Sequence, residues 1–306
     1  MNTRKRIRDA MIGVALKPRN MAKSLSRLMP GVGQMTTVMV LDGQWLKLIH
    51  VEGRQVVGVL AIPVQNSSPE EILQAFTEAR ETERLNLREV IVANPTHLST
   101  VRIFSLPSTE PKEIRDIVEL QAEKHTPYAK DEILSDFSII EQAKSGYSRV
   151  MLVISHQDVI QRSVRMMESS GLLLDRVAFE LDGLIHWYRQ ARKDAGDARS
   201  LIIEVDGNTT TLLVMQAGNP VFQRSIATGT HDLEGNVAEA TQRLIGELQR
   251  SIETLEAEGP AQRMQEVLLT GRVDRLNDLK PAIEEALKLP VSLLEPWQGV
   301  TPTEDV

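Results

Sequence analysis

One arrangement of apolar and polar residues occurs twice along the chain. Between Val38 and Pro63 (VMVLDGQWLKLIHVEGRQVVGVLAIP), three apolar runs are separated by turns at Asp42-Gly43 and Glu52-Gly53. Between Leu201 and Gly229 (LIIEVDGNTTTLLVMQAGNPVFQRSIATG), three more are separated at Asp206-Gly207 and Ala217-Gly218. Asp-Gly and glycine-containing turns between apolar runs are hairpin signals, so each copy predicts a three-stranded meander. Two such meanders predict a duplicated fold with two related halves, an arrangement that places ligands in the cleft between halves.

The rest of the pattern supplies the elements between and after the meanders. Ser67-Ser68-Pro69-Glu70-Glu71 reads as a capped helix start with proline and carboxylates in its first turn. That helix is predicted to run to Asn86 with Ile72, Ala75, Phe76, Ala79 and Leu85 inward. REVIVA, Arg88 to Ala93, reads as a buried strand. Val101 to Leu106 is a strand. Glu110 to His125 is a helix whose apolar stripe holds Ile114, Ile117, Val118, Leu120 and Gln121. Strands at 134–141 and 149–155 pair across Lys144-Ser145-Gly146. Gln157 to Ser169 is a helix stopped by Gly171, and Val177 to Ala195 is another, with Phe179, Leu181, Leu184, Ile185 and Trp187 buried. The polar run Lys193 to Arg199 separates the halves. After the second meander come a long helix, 233–258, a strand, 266–270, a short helix, 278–287, and a last strand, 290–294. Residues 298–306 read as a frayed tail.

At 306 residues the length suits two domains or one two-lobed domain. There is no cysteine, which removes disulfides, thiolate catalysis and cysteine metal sites and fits a reducing cytosol. None of the six histidines forms a close-spaced metal pair, and no metal site is expected. No apolar run approaches the roughly 20 residues that span a bilayer, and no apolar leader follows the basic start. The net charge of −7 conceals an asymmetry. Residues 1–34 hold Arg4, Lys5, Arg6, Arg8, Lys17, Arg19, Lys23 and Arg27 against Asp9 alone, while the body is acidic. The body is therefore no nucleic-acid binder. The basic segment, with Ile7, Met11, Val14, Leu16, Met21, Leu25 and Leu28 at a loosely helical spacing broken by Pro18, is a candidate for peripheral contact with an anionic membrane.

Several stretches, taken in order, resemble the PilM family of type IV pilus assembly proteins. These are Leu106-Pro107, then ELQAEKHTPY from Glu119 to Tyr128, then Asp136-Phe137. Gly171-Leu172 resembles the family's AGL corner, and Gly218 to Arg224 its G-x-P-x-F-x-R strand pair. VLLTGRVDRL and LKLPVSLLEP resemble its LTGG segment and closing strand. The resemblance covers about residues 37–297 and implies an α/β, actin-like (ribonuclease H-like, duplicated) fold with two lobes around a nucleotide cleft. The implied division is a basic extension at 1–36, a first lobe at 37–195 with an inserted subdomain at about 101–176, a second lobe at 196–297 and a tail at 298–306.

The implied function is that of a cytoplasmic structural adaptor, peripheral to the inner membrane, in a type IV pilus or related secretion machine. Its implied partners are the N-terminal tail of a single-span PilN-type protein and other components of the machine. The alternatives are a functional Mg-ATP-binding ATPase and a component like GspL of type II secretion. The resemblance places the partner groove in the first lobe, with Arg102, Ile103, Phe104, Leu106, Lys112 and Arg115 as candidate contacts.

The cofactor implied by the fold is Mg-ATP, held by two hairpin turns and a Gly-Gly pair. Turn amides receive phosphate oxygens, and carboxylates hold water around Mg²⁺. At the first turn the family text D-I-G-S-S-S-V-K stands against Val40 to Lys47. With Lys47 in register, Asp42 takes the place of the glycine, followed by Gly43, and Gln44 and Trp45 replace small hydroxyl residues. At the second turn V-D-I-G-A-x-x-T stands against Ile203 to Thr210. Glu204 replaces the aspartate and Asp206 the glycine, followed by Gly207, Asn208, Thr209 and Thr210. The Gly-Gly pair reads Gly271-Arg272. All three parts depart from the pattern, so the implied cleft is degenerate and no catalytic residue is assigned.

Overall fold

The structure is a computed structural model that describes residues 35–193, 196–234, 237–257, 263–271, 273–294 and 301–302. Strands β1 (Met35–Leu41), β2 (Trp45–Glu52) and β3 (Gln55–Pro63) form the first antiparallel meander. Their alternation is what the hydrophobic pattern requires: Thr37, Met39 and Leu41 are buried on one face of β1, and Leu46, Leu48 and His50 on one face of β2. Helix α1 (Pro69–Thr82) follows, then β4 (Glu89–Asn94), which lies parallel to β1.

Helix α1 begins as its sequence predicts. Ser68 Oγ accepts from the Glu71 amide at 3.2 Å, and the Glu71 carboxylate accepts from the Ser68 amide at 2.7 Å. It ends earlier than Asn86. Arg84 adopts a left-handed φ of 53°, and the Leu85 amide bonds back to the Arg80 carbonyl. Leu85 thereby leaves the helix but keeps its inward place, against Gly58, where a Cβ would lie 2.5 Å from a Leu85 methyl.

After β4 the chain forms a three-stranded antiparallel sheet from β5 (Ser99–Leu106), β6 (Ile133–Gln142) and β7 (Ser148–His156), with β7 central. Helix α2 (Pro111–Lys124) covers one face of it through Ile114, Val118 and Ala122, packed with Leu106, Ile133, Val150, Leu152 and Ile154. Helix α3 (Gln157–Ser169) then returns to the main sheet, where Ile160, Val164 and Met167 join Phe76 of α1 over the meander. Burial of a side chain such as Phe76 contributes about 2–3 kcal/mol.

The next segment departs from expectation. The run at 177–195 read as one helix; instead β8 (Leu173–Phe179) pairs in parallel with β4, and only then does α4 (Glu180–Ala191) begin. Gly171, at φ 72°, turns the chain back, and the second edge of β4 supplies backbone partners that local propensity does not reveal. The apolar residues Val177 and Phe179 belong to this strand. Arg199, expected in a polar linker, starts a strand and is buried.

The second meander is β9 (Arg199–Val205), β10 (Thr210–Gln216) and β11 (Asn219–Ile226). Helix α5 (Val237–Ala257), β12 (Glu266–Gly271), α6 (Val273–Leu287) and β13 (Val291–Leu293) complete this part. Helix α6 starts five residues before the predicted Asp278 and carries Pro281 within it. Residues Leu244 and Leu248 of α5 and Leu279 and Ile283 of α6 pack on β9, β10 and β12.

The duplication is now explicit. The first sheet orders its strands β3-β2-β1-β4-β8, and the second β11-β10-β9-β12-β13. In each, an antiparallel meander is followed by two parallel strands, with helices before both. The three-stranded subdomain interrupts only the first copy. Within the segment read as a frayed tail, Thr301 and Pro302 form β14, a short parallel addition beside β3. The chain divides into two compact units, one to His186 together with Gly299–Val306, the other Trp187–Gln298. Among the described residues no helix is long and apolar enough to cross a membrane.

Candidate functional site

The first turn is closed by its own side chain. Strand β1 ends at Leu41, paired with Leu46, leaving Asp42, Gly43, Gln44 and Trp45 to reverse the chain. The Asp42 amide donates to the Trp45 carbonyl at 3.1 Å. Asp42 Oδ1 accepts from the Gln44 amide at 2.8 Å and from the Trp45 amide at 2.7 Å. Its Oδ2 lies 3.2 Å from Lys47 Nζ. The Asp42 side chain is only 9% exposed, so this carboxylate is lodged within the turn. Gly43, at φ 92°, allows the fold-back. The amides and ammonium that a phosphate would use at this turn are therefore satisfied from within.

The second turn repeats the connection with a different conformation. Val205 pairs with Thr210, and the Asp206 amide donates to the Thr209 carbonyl at 2.9 Å. Asp206 Oδ1 accepts from the Gly207 amide at 2.8 Å. The turn is seated on the loop after β11: the amides of Thr230 and His231 donate to the carbonyls of Asp206 and Gly207, each at 2.9 Å. Gly229 passes so close that a Cβ there would meet the Gly207 carbonyl at 2.3 Å. Thr210 is fully buried and donates to the Thr228 carbonyl at 2.7 Å. Asn208 is exposed and bonds His231 Nδ1 at 3.0 Å, and Thr209 is half-buried. Glu204, half-buried in β9, sits between Thr211 and Thr270 in the sheet register.

Gly271 ends β12 opposite Val205, with φ 117°, and a Cβ there would lie 2.0 Å from the Val205 carbonyl oxygen. Only glycine fits so close a backbone approach. Arg272 lies outside the described residues. So does the basic segment 1–34.

The partner candidates fall on β5 and α2. Arg102 is exposed, Ile103 and Phe104 are half-buried, and Lys112 and Arg115 are exposed on α2. Leu106 is 2% exposed and belongs to the core beneath α2, so it holds the subdomain together rather than presenting a surface. Arg115 stands 5.7 Å from the centroid of the Phe137 ring, a cation–π contact. Strand β5 pairs with β7 alone; among the described residues its other edge carries no strand.

Two features in the first unit were not singled out by sequence reasoning. Asp136, beside Phe137 on β6, is half-buried, and burial pushes its carboxyl up to about 6, against the opposing effects of the Phe137 amide bond and Arg115. Asp136-Phe137 marked the resemblance, but nothing in the local sequence signals that this carboxylate is desolvated. The second feature is a cavity of about 750 Å³ between α1 and α3. Its lining includes Leu41, Gly43, Val64, Leu73, Arg162 and Met166, brought together from three separate stretches.

Apart from His50, the histidines are half-buried. His50 is buried, bonded to Thr37 Oγ1 at 2.9 Å, and held below its ordinary value by burial. Among the described residues no group of three His, Asp or Glu could hold a metal ion.

The family model of the type IV pilus assembly protein PilM matches residues 61–242. No curated protein matches the sequence. Among solved structures, a chain of a PilM-PilN type IV pilus biogenesis complex matches with a TM-score of 0.77 and 18% identity, covering 90% of this chain and 92% of that one. A Bacteroides thetaiotaomicron protein with an actin-like ATPase fold and unknown function matches with a TM-score of 0.56 and 13% identity, covering 87% and 92%. The cytoplasmic domain of EpsL, an inner-membrane component of the Vibrio cholerae type II secretion system, matches with a TM-score of 0.48 and 11% identity, covering 86% and 87%. The duplicated sheets are those of the actin-like fold.

Proposed function

The chain belongs to the PilM family of type IV pilus assembly proteins, and from that premise we propose that it is a cytoplasmic structural adaptor of a pilus or related secretion machine. It captures the N-terminal tail of a single-span inner-membrane partner of PilN type, and it needs no nucleotide to do so. Family membership over residues 61–242, a span that includes the whole three-stranded subdomain, carries the adaptor reading. The relative of highest TM-score reported above comes from a complex with PilN, which supports the choice of partner.

Independence from nucleotide is supported by the first turn. An anionic phosphate approaching Asp42 would meet a carboxylate already bonded to two amides and to Lys47. Like charges at short range in a shielded site cost on the order of a kcal/mol or more. A retained Mg-ATP site is the second reading: Gly271, the first glycine of the implied Gly-Gly pair, is kept at the end of β12. Isothermal titration with Mg-ATP separates the two. The adaptor reading expects no heat of binding, and saturable micromolar binding would overturn it. Pull-down with a peptide from the N-terminus of the single-span partner tests the adaptor role itself.

A further inference from the structure

The first turn has the donor set of an anion receptor and already holds an anion. Two backbone N–H groups, of Gln44 at 2.8 Å and Trp45 at 2.7 Å, and the Lys47 ammonium at 3.2 Å converge on one carboxylate. Three donors of this kind are what a phosphate oxygen receives when it sits in a turn of backbone amides. The carboxylate is covalently attached one residue before Gly43, is mostly shielded from water, and so competes at very high effective concentration. The second turn shows a related sequence device, with the Gly207 amide donating to Asp206 Oδ1.

We infer that Asp42 is a specificity-determining residue: a built-in anion that fills the receptor formed by the Gln44 and Trp45 amides and Lys47 and thereby excludes oxyanions such as nucleotide phosphates from this turn. Asp42 excludes by occupancy as well as by charge. Removing the side chain therefore exposes a receptor that binds oxyanions, whereas a neutral side chain of the same shape keeps it filled. This deepens the nucleotide-independent reading above and rests on it only for its biological meaning.

The test uses the full ¹⁵N-labelled chain titrated with inorganic phosphate and with tripolyphosphate, following the backbone amides of Gln44 and Trp45. Wild type and Asp42→Asn are expected to show no saturable shift. Asp42→Gly is expected to show saturable shifts at both amides, and Lys47→Met added to it is expected to weaken them. Asp42→Ser serves as a second vacated variant should the added glycine unfold the turn, with the dispersed spectrum of β1 and β2 reporting folding. Saturable shifts in wild type would overturn the inference, as would silence from the folded Asp42→Gly and Asp42→Ser variants. Tail-peptide capture by wild type is read separately, so loss of the adaptor reading and loss of this one are distinguishable.

Discussion

Asp136→Asn isolates the cost of one desolvated carboxylate. In the folded chain Asp136 sits in β6 opposite Val153 of β7, its Oδ1 accepting from the Phe137 amide at 2.8 Å. Burial raises the carboxyl from an ordinary 3.8 to about 6, although the amide bond and Arg115 pull the other way. A raised folded-state value means that the folded chain holds the proton more tightly than the unfolded chain. The associated stabilisation is present in full below pH 3.8 and is lost as pH rises through about 6. A shift of roughly two units corresponds to about 3 kcal/mol, and water reaching this half-buried side chain reduces it to about 1–3 kcal/mol. Asparagine keeps the acceptor for the Phe137 amide without the charge. Urea unfolding of wild type and variant between pH 4 and 8 reads the difference. The variant should gain on wild type as pH rises toward about 6, then level off, exceeding it by about 1–3 kcal/mol at pH 7.5. A difference that does not change between pH 4.5 and 7.5 would refute the reasoning.

Further outcomes follow from the same structure. Leu106→Ala should destabilise by about 2–5 kcal/mol in urea unfolding, because it empties the core under α2 rather than trimming a surface. Gly271→Ala should lower the melting temperature markedly, since its Cβ would overlap the Val205 carbonyl, while Gly43→Ala adds only backbone strain in empty space and should cost less. Charge reversal of the exposed Arg102 and Lys112 together should weaken capture of the partner's tail, measured by fluorescence anisotropy, and leave the melting curve nearly unchanged. Removal of residues 1–34 should abolish co-sedimentation with anionic liposomes, and equal pelleting of both forms would end the proposal of membrane contact.

The meanders were legible because strand alternation and Asp-Gly turns are local signals. Helix α1 was legible at its start for the same reason, since Ser68, Pro69 and Glu71 act within one turn. Strand β8 was not: its residues abut α4 without a polar break, and what makes them a strand is the vacant edge of β4, about 80 residues earlier in the chain. Leu106 illustrates the opposite problem. Leu106-Pro107 stands out as a motif, yet the residue's place in the core becomes evident only once α2 folds over it. At the first turn the sequence showed an aspartate where a glycine was expected. That substitution marked the turn as degenerate, but only the geometry reveals that the carboxylate consumes the two amides. The cavity between α1 and α3 draws on residues too scattered to form any pattern.

The central claim is that this chain binds a membrane partner's tail without nucleotide. Titrating a fluorescent peptide from the N-terminal tail of the PilN-type partner into the full chain, with and without Mg-ATP, tests it most directly. The account predicts saturable binding with the same dissociation constant in both conditions. Absence of binding, or binding that appears only with Mg-ATP, would contradict it.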